Sequence, residues 1–460
     1  MKVLRLCPAL TLLAVNLWAI APAVNELPLP ERVFPQLDGI LKGALQQSPR
    51  MLNQALNLEI AENARIEARA GLLPSLSASG SYLKSSDSNK YLYSSQSTGI
   101  STSNTYLVTQ TPYAVALNQP LFFWGQRRNN NKMGEIQQMI TQGQYRDAYR
   151  ALTQELRGSY LRLIVQKLAV KRARFNVEFA NTQLKQEEER LLKKVISEAQ
   201  IFNIRLNAEQ AQITLERAEF DYENAKASFA RLSGLGTMAD ESIPESIPVA
   251  TYTAGTFDQL LAGFLAQKDP PTTEAAALRY QLEIANLNYA NQKTRLKPNV
   301  SATFGLSQSQ TGNYFGQHVT YTLNSIYGGV SINWSIFDGF ASQAATRSAL
   351  ARLRQTENDY RQLTQRLALD AQSQVKLINF SARNMSITDR FFTSAGGNFR
   401  EAQDDFRRGV KSDTDVSLAQ LYLDDSEINA NNARIDYLLK IGDFLGTIME
   451  DPVLANVTEK

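Results

Sequence analysis

Leu121-Phe122-Phe123-Trp124-Gly125 ends an alternating segment and starts a long run without proline. About 215 residues later Ser335-Ile336-Phe337-Asp338-Gly339 does the same, and a repeat that long marks two equivalent halves of one architecture, not a solenoid unit. Upstream of each stretch lies a matching start: Leu73-Pro74 in the first half and Lys297-Pro298 in the second, each opening an earlier alternating segment. Each half therefore reads strand, strand, long helix.

Four segments alternate with period two, at 74–84, 106–123, 298–309 and 326–337, which puts unlike side chains on the two faces of a strand. Val115, Leu117 and Phe123 oppose Ala114, Ala116 and Asn118; Phe304 opposes Ser301 and Thr303; Val330, Ile332 and Trp334 oppose Ser331, Asn333 and Ser335. A soluble, half-buried sheet alternates in the same way. Phe122, Phe123, Trp124, Trp334 and Phe337 cluster at one end of the second and fourth strands, as an interfacial girdle does, and this favours a membrane β-barrel. Val115, Leu117, Phe123, Trp124, Phe304, Val330, Ile332 and Trp334 are then the lipid-facing residues. Residues 84–111 and 308–325, rich in Ser, Thr, Asn, Gly and Tyr, read as external loops. Four strands cannot close around a lumen and open edges are not tolerated in lipid, so closure demands several copies. Three chains give twelve strands.

No proline occurs between Pro120 and Pro244 or between Pro298 and Pro452. The expected helices are 125–195 and 198–233 in the first repeat (24–240), and 340–408 and 413–449 in the second (272–460). At 1.5 Å per residue the first would be roughly 100 Å long. Ile201, Ile204, Ala208, Ala211, Leu215, Ala218, Tyr222, Ala225, Phe229 and Leu232 fall at steps of three and four, the pattern of a coiled-coil seam. Val416, Ala419, Leu423, Ala430, Ala433, Tyr437 and Phe444 repeat it, interrupted by Ser426 and Lys440. Joined to strand pairs, these helix pairs suggest a barrel continuing into a cylinder of helices. The segment 241–271 reads as a connector wrapped on the helical body or as a hinge.

Lys and Arg number 48 against 45 Asp and Glu, a net charge of +3, and they are scattered, which argues against a nucleic-acid surface. Residues 1–23 have the form of an export signal: Lys2 and Arg5, an apolar run from Leu10 to Ile20, then Ala21-Pro22-Ala23. The run falls short of the about 20 residues a membrane-spanning helix needs. Cys7, the single cysteine, precedes the run and is lost with the signal, leaving no disulfide or thiolate chemistry. The single histidine, His318, reads as a solvated loop residue. Without a Ser/His/Asp, metal-ligand or phosphate-binding constellation, the chain is expected not to be an enzyme and to carry no cofactor.

In order and spacing the chain resembles the TolC family of outer membrane efflux proteins over nearly everything after the signal. The resemblance rests on Gly71-Leu72-Leu73-Pro74-Ser75-Leu76, Leu296-Lys297-Pro298-Asn299-Val300, Asn118-Gln119-Pro120-Leu121-Phe122 and Asn333-Trp334-Ser335-Ile336-Phe337-Asp338-Gly339. At the helix turns, Lys194-Val195-Ile196-Ser197 and Arg408-Gly409-Val410-Lys411-Ser412 match the family's Gly-x-x-Ser pattern. The resemblance implies a homotrimer with a twelve-stranded barrel in the outer membrane of a Gram-negative-type cell and a twelve-helix tunnel in the periplasm. It also implies a passive exit duct for efflux or type I secretion, joined by a periplasmic adaptor to an inner-membrane pump of the RND or ABC type.

Carried over residue by residue, the family's acidic aperture position falls on Asp415 and its second on Leu418, so one carboxylate ring is expected, with Asp413 nearby. Three converging carboxylates would focus a negative potential and raise one another's pKa values. Gln200 is the uncharged counterpart in the first half. Lys411 matches a basic residue that ties the tip shut, with Asp413, Asp415 or Gln200 of a neighbour as its expected partner. Asp413 also suits a helix N-cap and Asp415 the first helical turn, where the helix dipole favours an acid. Adaptor contact is expected at Lys194, Val195, Ser197, Arg408, Gly409, Val410 and Ser412, and because Lys194 stands where glycine is preferred, the first turn is expected to differ in backbone. The competing class is a coiled-coil structural protein of the envelope that conducts nothing.

Overall fold

A computed structural model describes residues 24, 27–93, 100–251, 255–312 and 320–457. The export signal with Cys7, and His318, lie outside the described residues. The chain divides into two compact units: Glu59–Ile140 with Leu278–Asp359, and Met1–Leu58 with Thr141–Ala277 and Tyr360–Lys460.

The first unit is built on a sheet of β1 (Ser75–Gly80), β2 (Leu83–Tyr93), β3 (Ile100–Gln110), β4 (Tyr113–Phe122), β5 (Asn299–Gly312) and β6 (Tyr321–Asn333). These six strands occupy four lanes. β1 and β2 are one strand broken at Ser81-Tyr82, and β3 and β4 one strand broken opposite it at Thr111-Pro112, where Ser81 N–H donates to Pro112 O at 2.9 Å. Pro112 has no N–H for the ladder, which accounts for the break on its side. The expected loop 84–111 is thus corrected to a hairpin, with Leu83 to Tyr93 paired residue for residue against Gln110 to Ile100. Likewise β5 runs to Gly312 and β6 starts at Tyr321, inside the expected loop 308–325.

Residues directly opposite one another in an antiparallel pair share a face. Leu76 pairs with Leu117, Leu117 with Phe304, Val115 with Leu306, Leu306 with Ile326, Ala302 with Val330 and Val300 with Ile332. All therefore lie on one apolar face. The other carries Ser77 opposite Ala116, Ala114 opposite Ser307, and Ser301 opposite Ser331, whose hydroxyls are 2.9 Å apart. Two crowded pairs alternate glycine with a ring: Phe304 faces Gly328, and Gly305 faces Tyr327 so closely that a Cβ would stand 2.6 Å from the phenol ring.

A register shift between Pro120 and Phe122 leaves Leu121 as the extra residue and sets Phe122 opposite Val300. Phe122, and not the expected Phe123, thereby lies on the apolar face, because one inserted residue exchanges the faces.

In the other unit the long helices come in matched pairs. α4 (Gln126–Leu192) and α8 (Ala341–Arg407) each have 67 residues and enter it from the sheet unit. α5 (Glu198–Ser233) has 36 and α9 (Asp413–Thr447) has 35. The shorter helices are α1 (Pro30–Val33), α2 (Pro35–Gln47), α3 (Pro49–Ala70), α6 (Thr256–Leu265) and α7 (Thr273–Lys293). On α5, Ile201, Ala208, Ala211, Tyr222 and Phe229 are buried and the remaining seam residues half-buried. Ser426 on α9 is buried without cost to pairing because its hydroxyl donates to Tyr422 O at 2.8 Å.

Three chain segments meet on Arg157 of α4. All five of its N–H donors are used: Nε and Nη2 on Glu31 at 2.9 and 2.5 Å, Nη1 and Nη2 on Asp451 at 2.6 and 3.0 Å, and Nη1 on Gln154 at 3.2 Å. The side chain is fully enclosed. Burial opposes the charge of Arg157, but the hydrogen bonds and charges of Asp451 and Glu31 outweigh it and raise its pKa.

Gly234 ends α5 with φ of 73° and lets Gln47 O come within 2.1 Å of where a Cβ would sit, so no other residue fits. The connector after it lies on the helices: Lys167 Nζ donates to Ile243 O at 2.8 Å, and Arg434 Nη1 to Ile247 O at 2.6 Å, with Ile243 and Ile247 buried.

Candidate functional site: the apolar sheet face and the helix turns

On the sheet, the apolar face is bare in the single chain. Phe304, Val330 and Ile332 are 58, 65 and 69 % exposed, and Val115 and Leu117 are exposed as well. Among the described strands, β6 pairs only with β5, and the β1–β2 lane only with β3–β4, which leaves two free edges. Among the described residues no helix is long and apolar enough to cross a membrane.

At the base of the sheet Trp124 and Trp334 are fixed to the segment leading into β5. Trp124 Nε1 donates to Pro298 O at 2.8 Å and Trp334 Nε1 to Leu296 O at 2.9 Å. Trp124 sits edge-on to Phe122, with centroids 4.8 Å apart. Asp338 starts α8 by accepting from Ser342 N–H at 3.0 Å and from its hydroxyl, which holds the carboxyl below its ordinary pKa.

The two helix turns share one backbone geometry. Lys194 has φ of 59° and Gly409 has φ of 76°. Lys194 N–H donates to Leu191 O and Val195 N–H to Arg190 O, as Gly409 N–H does to Phe406 O and Val410 N–H to Asp405 O. The expected backbone difference is corrected: lysine adopts the left-handed conformation glycine takes in the other half, at a cost of roughly 1–2 kcal/mol. The reason is the chain reversal itself, whose bonding requires that φ.

Each turn then starts its next helix with a reciprocal cap. Ser412 N–H and Oγ–H donate to Asp415 Oδ2 at 2.8 and 2.7 Å, and Asp415 N–H returns a bond to Ser412 Oγ at 3.2 Å. In the first turn Ser197 N–H donates to Gln200 Oε1 at 2.9 Å. Asp415 and Gln200 are thus equivalent capping positions. The Ser412 bonds, with Lys411 adding charge, hold Asp415 below its ordinary pKa within the single chain.

Lys411 is paired within its own chain. Its Nζ lies 3.2 Å from Asp405 Oδ2, and Arg408 Nη2 lies 2.6 Å from Oδ1 of the same carboxylate. The bond to Lys411, then the charge of Lys411 and the bond to Arg408, lower the Asp405 pKa. Asp405 was not singled out in the sequence; it stands six residues before Lys411, and only the reversal brings the two together. Lys194, Val195, Ser197, Arg408, Gly409, Val410 and Ser412 are all exposed, as are Asp413, Asp415, Gln200 and Leu418, while Lys411 is half-buried.

Solved outer membrane proteins share this fold. VceC from Vibrio cholerae, an outer membrane protein, is 16 % identical, with a TM-score of 0.62 over 92 % of this chain and 98 % of that one. The CmeC outer membrane channel of Campylobacter jejuni is 14 % identical, with a TM-score of 0.67 over 90 % of this chain and 86 % of that one. The open state of the Neisseria gonorrhoeae MtrE outer membrane channel is 16 % identical, with a TM-score of 0.62 over 90 % of this chain and 89 % of that one. No curated protein matches the chain. The outer membrane efflux protein family matches residues 40–235 and 272–440, most of both repeats, and the chain belongs to that family.

Proposed function

We propose that three copies of the chain form a passive exit duct: a twelve-stranded outer membrane barrel and a twelve-helix periplasmic tunnel serving efflux or type I secretion. The observation that carries this is the sheet, apolar and bare on one face, small and polar on the other, and open at both edges. In lipid such edges must be paired, and copies of the same sheet are the partners at hand. The helices support assembly as well, since α5 keeps Phe202, Ile213 and Phe220 exposed, eleven and seven residues apart, and α8 keeps Phe380, Ile387 and Phe391 exposed. A homotrimer gives those stripes neighbours.

Opening is an outward movement of the α8–α9 turn, stabilised when the hairpins of a periplasmic adaptor, tied to an RND or ABC pump, seat against the two turns. Exposed Val195 and Val410, 62 and 72 % accessible, are the apolar contacts offered there. Planar-bilayer recording of the purified protein tests the duct. Discrete ohmic conductance steps are expected; outer-membrane material that never conducts would favour the structural coiled-coil protein instead.

A further inference from the structure

The segments bordering the base of the sheet, 65–74, 123–132, 291–298 and 334–347, contain nine Lys and Arg against two Asp and Glu. The whole chain is nearly balanced, at 48 against 45. No such excess exists at the other end, where residues 84–111 and 308–325 carry only Lys84, Lys90 and Asp87. Apart from half-buried Arg65 these cations are exposed, and two of them lie over aromatic rings at the base. Lys297 Nζ sits 4.3 Å from the Trp124 ring centroid, and the Arg127 guanidinium 4.9 Å from that of Phe123. Trp124 in turn touches Phe122 on the apolar face. An indole held at an apolar boundary with an ammonium over it matches the layer where acyl chains meet phosphates.

We propose that this base is a belt that binds the anionic headgroups of membrane phospholipids, with Lys297 and Arg127 as its central contacts. The inference rests on the barrel reading above and adds to it a lipid class and a place. Each cation beside an anionic surface strengthens attachment by a factor of about five. The far end of the strands, with two Lys against one Asp, offers little such attraction, so the belt also makes the two rims of the sheet chemically unlike.

The test reconstitutes the full-length protein into vesicles of phosphatidylcholine with a minority of phosphatidylglycerol. Flotation reports insertion, and the lipid retained after detergent extraction reports enrichment. Wild type is expected to retain phosphatidylglycerol preferentially, K297Q and R127Q each to lower that enrichment about five-fold, and K297R to keep it. R217Q, a control at an exposed cation of α5, is expected to leave it unchanged. Inserted protein without enrichment, an equal loss in R217Q, or release of the lipid by excess inorganic phosphate would overturn the belt. Protein that fails to insert in any vesicle would overturn the barrel reading, and the belt with it.

Discussion

Asp415 holds two roles that a single substitution separates. Its carboxylate closes the cap of α9 on Ser412, and as the family position it is proposed to line the periplasmic aperture. Asparagine keeps an acceptor oxygen for Ser412 and loses the charge. Asp415→Asn is therefore expected to fold and assemble as wild type while cation selectivity in planar bilayers falls; unchanged selectivity and unchanged block by multivalent cations would confine Asp415 to the cap. Lys194 allows a second residue-scale prediction. Glycine relieves the left-handed strain but loosens the unfolded chain, so Lys194→Gly should stabilise the first turn by a net of about 0.5–1 kcal/mol. Slower amide exchange at Val195 is the expected readout, and faster exchange would contradict it. The caps were only partly legible: the sequence offers Asp413 as the N-cap of α9, whereas the structure caps that helix one residue earlier, at Ser412. The Asp405–Lys411 pair was not legible, because it forms across a reversal whose bonding no periodic pattern encodes.

At the scale of elements, periodicity was informative wherever one face is apolar. The α5 seam from Ile201 to Phe229 was readable because seven-residue burial writes directly into residue type. β2 and β3 were not, since Ser, Thr, Asn and Lys occupy both faces and the pairing from Leu83 to Tyr93 rests on backbone bonds. The bulge at Leu121 was equally silent: one inserted residue leaves composition unchanged and swaps Phe122 for Phe123. Nor does any local pattern announce Arg157, whose partners lie 126 and 294 residues away. Removing it strands two buried carboxylates, so Arg157→Ala is expected to cost about 3–5 kcal/mol. Thermal unfolding measures this, and a melting temperature within error of wild type would show that the cluster does not clamp the chain ends.

For the whole molecule the duplication is the organising fact. Helices of 67 and 67 residues, then 36 and 35, follow strand pairs in both halves. Each half contributes two lanes to a sheet that remains open on both sides in one chain. Family membership accounts for that plan, and the proposed threefold closure accounts for the open edges, the bare apolar face and the exposed helix stripes together. The most direct test is the native mass of the particle extracted from outer membranes in mild detergent. A species of three chains that resists dissociation is the predicted result. A stable single chain, or an assembly whose number of copies is not three, would contradict the account.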